Sequence, residues 1–188
     1  MPEFRKCATG KESAAIMSEA VGTELRWMVK YFHSALPRML VARDTRLPLN
    51  IFTDAALEGF ETVATVGAVV FDRSAEMCVS EHFGELMPSN VLRVLQATTT
   101  RVIAVLEVIP VLLALKMWAR RCLHRRVFVF IDNDAARASL INCSSTSDVI
   151  TSVLKLIVMF TAKNPCYLWY SRVPSDSNIA DGPSRLEF

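Results

Sequence analysis

Two hydrophobic periods divide this chain. Over residues 12 to 36, Ile16, Ala20, Leu25, Met28, Val29, Phe32 and Leu36 recur mostly at three- and four-residue steps, which is the spacing of one helical face. Ser13 stands where a helix N-cap would, and Gly22 with Thr23 is placed to break the helix in two. Pro37 and the charged stretch ARDTRLP, residues 42 to 48, then mark a boundary. From Leu49 the period becomes that of strands: LNIFTDA, VATVGAVVFD and EMCVSEHF, the last with Met77, Val79 and Phe83 alternating with polar or small neighbours. Asp72, Arg73 and Ser74 are turn formers and predict a hairpin between the second and third strands.

After a loop containing Pro88, Ser89 and Asn90, a long helix is predicted from Thr99 or Thr100 to about Leu123. Pro110 conflicts with its interior, because proline lacks a donor and clashes one turn back. The helix therefore starts late, close to Glu107, or kinks. VFVFID is a continuous apolar strand, and such a strand must be covered on both faces, with helices packed on it. DAARASLI reads as a short helix with Asp134 as its cap. Ser144 to Ser147 form a polar break before DVITSVLKLIVMFTAK, a helix with Asp148 at its positive end and Lys163 at its negative end. CYLWYSRV is the fifth strand. The order is three strands, helix, strand, helices, strand and a short helix, an α/β pattern without internal repeats. It predicts an N-terminal helical appendage, residues 1–46, and one main domain, residues 47–188.

Composition narrows the class without naming a function. With 52% hydrophobic and 21% charged residues, the chain is that of a folded globular protein rather than a disordered or fibrous one. A formal net charge of +2 does not identify a nucleic-acid binder, so local clustering has to carry that argument. Lys116, Arg120, Arg121, His124, Arg125 and Arg126 gather at the end of the long predicted helix, around Trp118. Cations there suit the helix dipole and equally suit phosphate contact. Trp118 and Trp169 lie in apolar elements and are expected in the core. Arg137 and Arg185 are further candidate phosphate contacts.

The five cysteines, at 7, 78, 122, 143 and 166, form no CxxC pair or metal-ligand spacing, as expected of reduced thiols in an intracellular protein. The polar start MPEFRKCATGKES lacks the apolar core of a signal peptide. Mean hydropathy is positive, but Val102 to Ala119 contains Glu107, Pro110 and Lys116. Each central charge would oppose insertion by about 2.5 to 3.5 kcal/mol. A buried core helix is expected, not a membrane span.

The chemistry lies in acids. Asp54 follows Leu49, Ile51 and Phe52; Asp132 follows the apolar run Val127 to Ile131; Glu107 stands among Ile103, Val105, Leu106, Val108 and Ile109. A carboxylate beside a buried apolar run loses hydration worth several kcal/mol unless a partner or a metal neutralises it. As alternatives, Asp54 serves a turn and Asp132 caps the helix that follows, but an apolar helix face has no structural use for Glu107. Asp181 lies in polar surroundings, where SNIAD also fits a short capped turn.

Four segments in this order, FTDA, LEVIPVLLALKMW, FIDNDAARASL and NIADGPSR, resemble the RNase H domain of retroelement reverse transcriptases, of the DIRS-like (tyrosine-recombinase) or LTR class. The resemblance covers roughly residues 47 to 186. It implies an RNase H-like fold, an α/β five-stranded mixed sheet whose first three strands are antiparallel, flanked by helices. It also implies that Asp54, Glu107, Asp132 and Asp181 hold two Mg²⁺ ions, for which Mn²⁺ can substitute. Hard cations take oxygen ligands, and a metal pair can activate the attacking water and stabilise the leaving oxygen of an in-line displacement. The implied activity is hydrolysis of the RNA strand of an RNA/DNA hybrid, within or derived from a polyprotein whose polymerase domain is the implied partner. The appendage would then be a remnant of a thumb or connection region.

The chain departs from that family in two respects: Gly182 and Pro183 are expected to stop the last helix early, leaving Asp181 on a brief turn where it is less firmly held, and a loop histidine is missing. Many RNase H enzymes carry a His in the loop after the last strand, and here that loop reads VPSDSN. His33, His82 and His124 lie elsewhere and read as surface or core residues. A catalytically silent domain that binds nucleic acid or a partner is the alternative, followed by a DNA nuclease of the same superfamily.

Overall fold

The computed structural model describes residues 18–37, 46–60, 62–73 and 79–188. The chain divides into two units, residues 1–34 and 35–188. In the first, helix α1 (Glu19–Ser34) runs without interruption through Gly22 and Thr23. No break forms, because the Thr23 hydroxyl donates back to the Glu19 carbonyl at 2.9 Å and accepts from Arg26 at 3.0 Å. Trp27 and Tyr31, one turn apart, stack with centroids 5.8 Å apart. Ser13 and Ile16 lie outside the described residues.

The second unit is built on one sheet. β1 (Leu49–Glu58), β2 (Val63–Asp72) and β3 (Val79–Leu86) are antiparallel neighbours, and β4 (Arg126–Ile131) and β5 (Tyr167–Arg172) continue parallel to β1, giving the order β3-β2-β1-β4-β5. Parallel neighbours require crossovers. Helices α2 (Ser89–Thr98), α3 (Val102–Met117) and α4 (Ala119–Cys122) link β3 to β4, and α5 (Asp134–Asn142) and α6 (Asp148–Lys163) link β4 to β5.

Helix α3 is apolar on nearly every side because it packs against β1, β2, α5 and α6 at once. Val105, Leu106, Val108, Val111 and Leu115 are fully buried there, against Leu49 and Ile51 of β1 and Val127, Val129 and Ile131 of β4 in the same core. Each such side chain contributes about 1.5 to 3 kcal/mol of burial free energy. This packing also carries Pro110, itself buried: the helix begins well upstream at Val102 and passes through the proline, rather than starting near Glu107. It ends at Met117, Trp118 leaves helical geometry (φ −102°, ψ 28°), and α4 follows separately. No helix among the described residues is long and apolar enough to cross a membrane.

Other elements differ from the sequence reading for identifiable reasons. The stretch with Pro88, Ser89 and Asn90 starts α2 instead of a loop; Leu92 and Leu95 are buried while Val91 and Val94 face out. Asp72 is the last residue of β2 rather than part of a turn, Ser74 and Met77 lie outside the described residues, and β3 is described from Val79. Asn133, not Asp134, caps α5: its side-chain oxygen accepts from the amides of Ala135 and Ala136 at 3.1 and 3.0 Å. Trp118 is in the core, against Phe83, with its indole N–H donating to Glu81 at 3.1 Å. Trp169 is not: it is 66% exposed, because strand side chains alternate and its neighbours Leu168 and Tyr170 take the face packed on the core. Cys122 and Cys166 are buried thiols outside any disulfide, and burial pushes Cys122 up to about 12.

Candidate metal centre

Parallel pairing of β1 and β4 sets two of the acids side by side. Phe52 is in register with Phe130, and their rings stack 4.5 Å apart. Asp54 and Asp132 each stand two residues beyond that rung. Glu107 reaches them from α3, which packs on β1. One carboxylate oxygen from each of Asp54, Glu107 and Asp132 lies within 4.8 Å of the others, and Asp54 and Glu107 are each only 5% exposed.

The electrostatics are unfavourable without a cation. Burial, opposed by the Ser184 hydrogen bond and reinforced by the Asp132 and Asp181 charges, raises Asp54 from 3.8 to about 6. Burial, with the Asp54 and Asp132 charges added, raises Glu107 from 4.5 to about 9. Glu107 Oε2 and Asp132 Oδ1 are buried and have no hydrogen-bond partner. Orphaned acceptors of this kind are rare in native interiors unless an ion or water answers them. An all-oxygen, carboxylate-rich set with unused lone pairs fits a hard divalent cation.

Asp181 stands apart from this group. It opens the short helix α7 (Asp181–Ser184), its carboxylate accepts from Arg185 Nε at 3.0 Å, and it is exposed. It is close enough to raise Asp54, yet it is not among the three that converge. Arg185 Nη1 also donates to Glu58 at 3.0 Å. A cleft of about 410 Å³ is lined by Ala55, Ala56 and Leu57, which follow Asp54 on β1, by Thr100 ahead of α3, by Val102 and Ile103 in its first turn, and by Arg185.

Two residues that the sequence reading did not single out hold Asp54. The Ser184 hydroxyl donates to Asp54 Oδ2, and Asn178 Nδ2 donates to the Thr53 carbonyl at 3.1 Å and, over a longer 3.4 Å, to Asp54 Oδ1. Both are buried, and both lie inside the NIADGPSR segment that carries Asp181.

The candidate phosphate contacts separate by environment. Arg125 is buried, with its guanidinium donating to both Asp72 oxygens at 2.8 and 3.1 Å and to the Leu47 carbonyl at 2.8 Å, so it ties three chain segments together and does not face a ligand. Arg121 pairs with Glu81, and Arg137 with Asp134 at 3.2 Å. Arg126 donates to the Arg46 carbonyl at 2.9 Å. Arg120 and Arg126 are exposed.

No protein-family model matches the chain, and no curated protein matches it in sequence. Solved structures do match in fold. The N-terminal RNase H domain of a Mycobacterium tuberculosis protein, solved as a fusion with maltose-binding protein, is 13% identical, with a TM-score of 0.52 over 74% of this chain and 95% of that one. RNase H1 of the halophilic archaeon Halobacterium salinarum is 14% identical, with a TM-score of 0.50 over 73% and 97%. LC11-RNase H1, solved in complex with an RNA/DNA hybrid, is 16% identical, with a TM-score of 0.50 over 74% and 95%. The five-stranded mixed sheet, with three antiparallel strands followed by two parallel ones and helices on it, is thus the RNase H-like fold.

Proposed function

We propose that this chain is a divalent-metal-dependent endoribonuclease that cleaves the RNA strand of RNA/DNA hybrids, with Asp54, Glu107 and Asp132 as the core of its metal site and Asp181 as a fourth ligand. The observation that carries this reading is the convergence of three acids within 4.8 Å, two of them with buried oxygens that nothing in the protein satisfies. Such a group is destabilising unless it holds cations. The chemistry that a pair of Mg²⁺ ions, or Mn²⁺, supplies at such a site is activation of the attacking water and stabilisation of the leaving 3′ oxygen.

The chain's own residues then have distinct tasks. Asp54 on β1, Glu107 on α3 and Asp132 just past the end of β4 present oxygen ligands to one point. The cleft along Ala55 to Leu57, the residues that follow Asp54 on β1, gives the hybrid backbone a place to lie, and Arg185 at its wall carries charge suited to a phosphate. Exposed Arg120 and Arg126, with Arg121 and Arg137, extend that charge. The fold neighbour solved with an RNA/DNA hybrid supports this substrate class. Residues 47–188 form the catalytic domain in this reading, residues 1–46 a remnant of a polymerase thumb or connection region, and the source a retroelement reverse transcriptase polyprotein acting inside the cell.

The second reading, a silent domain of the same fold that only binds, draws on the Asp181–Arg185 pair, which holds the fourth acid away from the other three. One assay separates the two. Labelled RNA/DNA hybrid, duplex DNA and duplex RNA are incubated with the protein in Mg²⁺ or in EDTA. Metal-dependent cleavage of the hybrid alone supports the first; hybrid binding without cleavage in Mg²⁺ or Mn²⁺ supports the second; cleavage of duplex DNA points to a DNA nuclease.

A further inference from the structure

Asp54 is paired across the sheet with Gly67 of β2, and Gly67 in turn with Gly84 of β3. Paired residues share a face, so the two glycines leave a trough running outward from Asp54. The backbone of Pro183 and Ser184 lies in it: a Cβ at Gly67 would overlap the Ser184 amide nitrogen, and one at Gly84 would overlap the Pro183 carbonyl oxygen. At its outer end the segment is held by Phe188, whose ring stacks on His82 with centroids 5.2 Å apart. Seating this deep leaves Ser184 fully buried and brings its hydroxyl to Asp54 Oδ2. That hydroxyl has one proton and a second acceptor nearby, the Asp181 carbonyl at 2.9 Å. The carboxylate is the stronger acceptor. Asn178 approaches the other Asp54 oxygen, so both oxygens are oriented from the same C-terminal segment.

We propose that Ser184, delivered by the Gly67–Gly84 trough and assisted by Asn178, is a positioning residue that fixes the Asp54 carboxylate for divalent-metal binding. The inference rests on the metal-site reading above. Glu107 and Asp132 retain oxygens without protein partners, whereas Asp54 is held on both. Asp54 is therefore the one of the three whose two oxygens are both oriented by protein donors. A trough of this depth has no role in packing apolar side chains, since it seats backbone.

The test uses the full chain and Mn²⁺ alone, titrated by calorimetry into wild type, Ser184→Ala, Ser184→Cys and Gly67→Ala, with metal-free melting and hybrid cleavage measured in parallel. Ser184→Ala should weaken Mn²⁺ by about 10-fold, the lower end of what outer-shell partners contribute to metal affinity. Ser184→Cys, which fills the same space with a weaker donor, should fall between. Gly67→Ala should lose as much as Ser184→Ala while keeping the hydroxyl, and the double variant should lose no more than either single one. Unchanged Mn²⁺ affinity in folded Ser184→Ala or Ser184→Cys overturns the proposal. If wild type binds Mn²⁺ with this Ser184 dependence but cleaves no hybrid, the hydrolase reading falls and the positioning role stands. If wild type binds no divalent ion, both fall.

Discussion

Glu107 on α3 and Asp54 on β1 come within 4.8 Å of one another, and the Asp54 charge adds to the larger effect of burial in raising the proton affinity of Glu107. Their pH linkage follows. Both folded values, about 9 and about 6, lie above the ordinary 4.5 and 3.8, so the folded state holds protons that the unfolded chain has released. Stability from these groups is complete below about pH 4 and is lost as pH rises, first through 6 and then through 9. Thermal melts in EDTA should therefore show the melting temperature falling from pH 5 to pH 9. Glu107→Gln, which removes the later-titrating group, should flatten the upper part of that slope. A metal-free profile with no slope in wild type would count against the buried cluster.

Metal binding should run against the same protons. At pH 7, Mg²⁺ must displace the proton that Glu107 retains, so its uptake should release protons and tighten with rising pH. Calorimetric titration of Mg²⁺ in two buffers of different ionisation enthalpy reads the number released; a heat that does not depend on buffer would show that the site binds already deprotonated.

The four acids should not be equal in turnover. Asp54→Asn and Asp132→Asn each take a carboxylate from the converged group and should lower hybrid cleavage by at least about 100-fold, the scale on which single electrostatic contributors act. Asp181→Asn should cost less, because the Asp181 carboxylate is exposed and engaged with Arg185. Initial rates at saturating Mg²⁺ measure the order. Equal losses at these three positions would mean that Asp181 swings fully into the site with substrate.

The parts of this molecule that were legible in the sequence are those in which a single period or a single placement decides. VFVFID could only be an inner strand, DVITSVLKLIVMFTAK could only be an amphipathic helix, and an acid amid the apolar residues of α3 could only serve something inside. What escaped depends on neighbours. Helix α2 was hidden because Pro88, Ser89 and Asn90 read equally as loop formers and helix starters, and burial of Leu92 and Leu95 decides between them. Trp169 looked like core because its segment is apolar, but it lies on an edge strand with one side uncovered. Ser184 was invisible as a partner of Asp54, since the pairing spans 130 positions and depends on two glycines in register. Arg125 sat in a run of cations, and only its distant partner Asp72 gives it a different role.

That role predicts a contrast within the basic cluster. Removing one partner of a buried ion pair leaves the other charge stranded, at about 3 to 5 kcal/mol. Arg125→Ala or Asp72→Ala should therefore lower stability by that amount in chemical denaturation, and hybrid binding by the folded fraction should be little altered. Arg120→Ala and Arg126→Ala, on exposed side chains, should leave stability nearly unchanged and weaken hybrid binding with a reduced dependence on salt, each removed phosphate contact lowering the slope by about 1. Binding measured at several salt concentrations, alongside urea denaturation, separates the two classes; a salt slope unaffected by Arg120→Ala would remove it from the interface.

The two tryptophans of the sheet domain offer the same kind of contrast for packing. Trp118 is 4% exposed, lies against Phe83 and donates its indole N–H to Glu81, so Trp118→Ala opens a cavity where α3 meets α4 and leaves an acceptor short of its donor. Truncations of this size in a core cost about 3 to 5 kcal/mol. Trp169, 66% exposed on β5, has little burial to lose, and Trp169→Ala should cost under about 1 kcal/mol. Equilibrium urea unfolding followed by far-ultraviolet circular dichroism measures both without relying on the fluorophores removed. Comparable losses for the two variants would mean that the face of β5 carrying Trp169 is covered in solution.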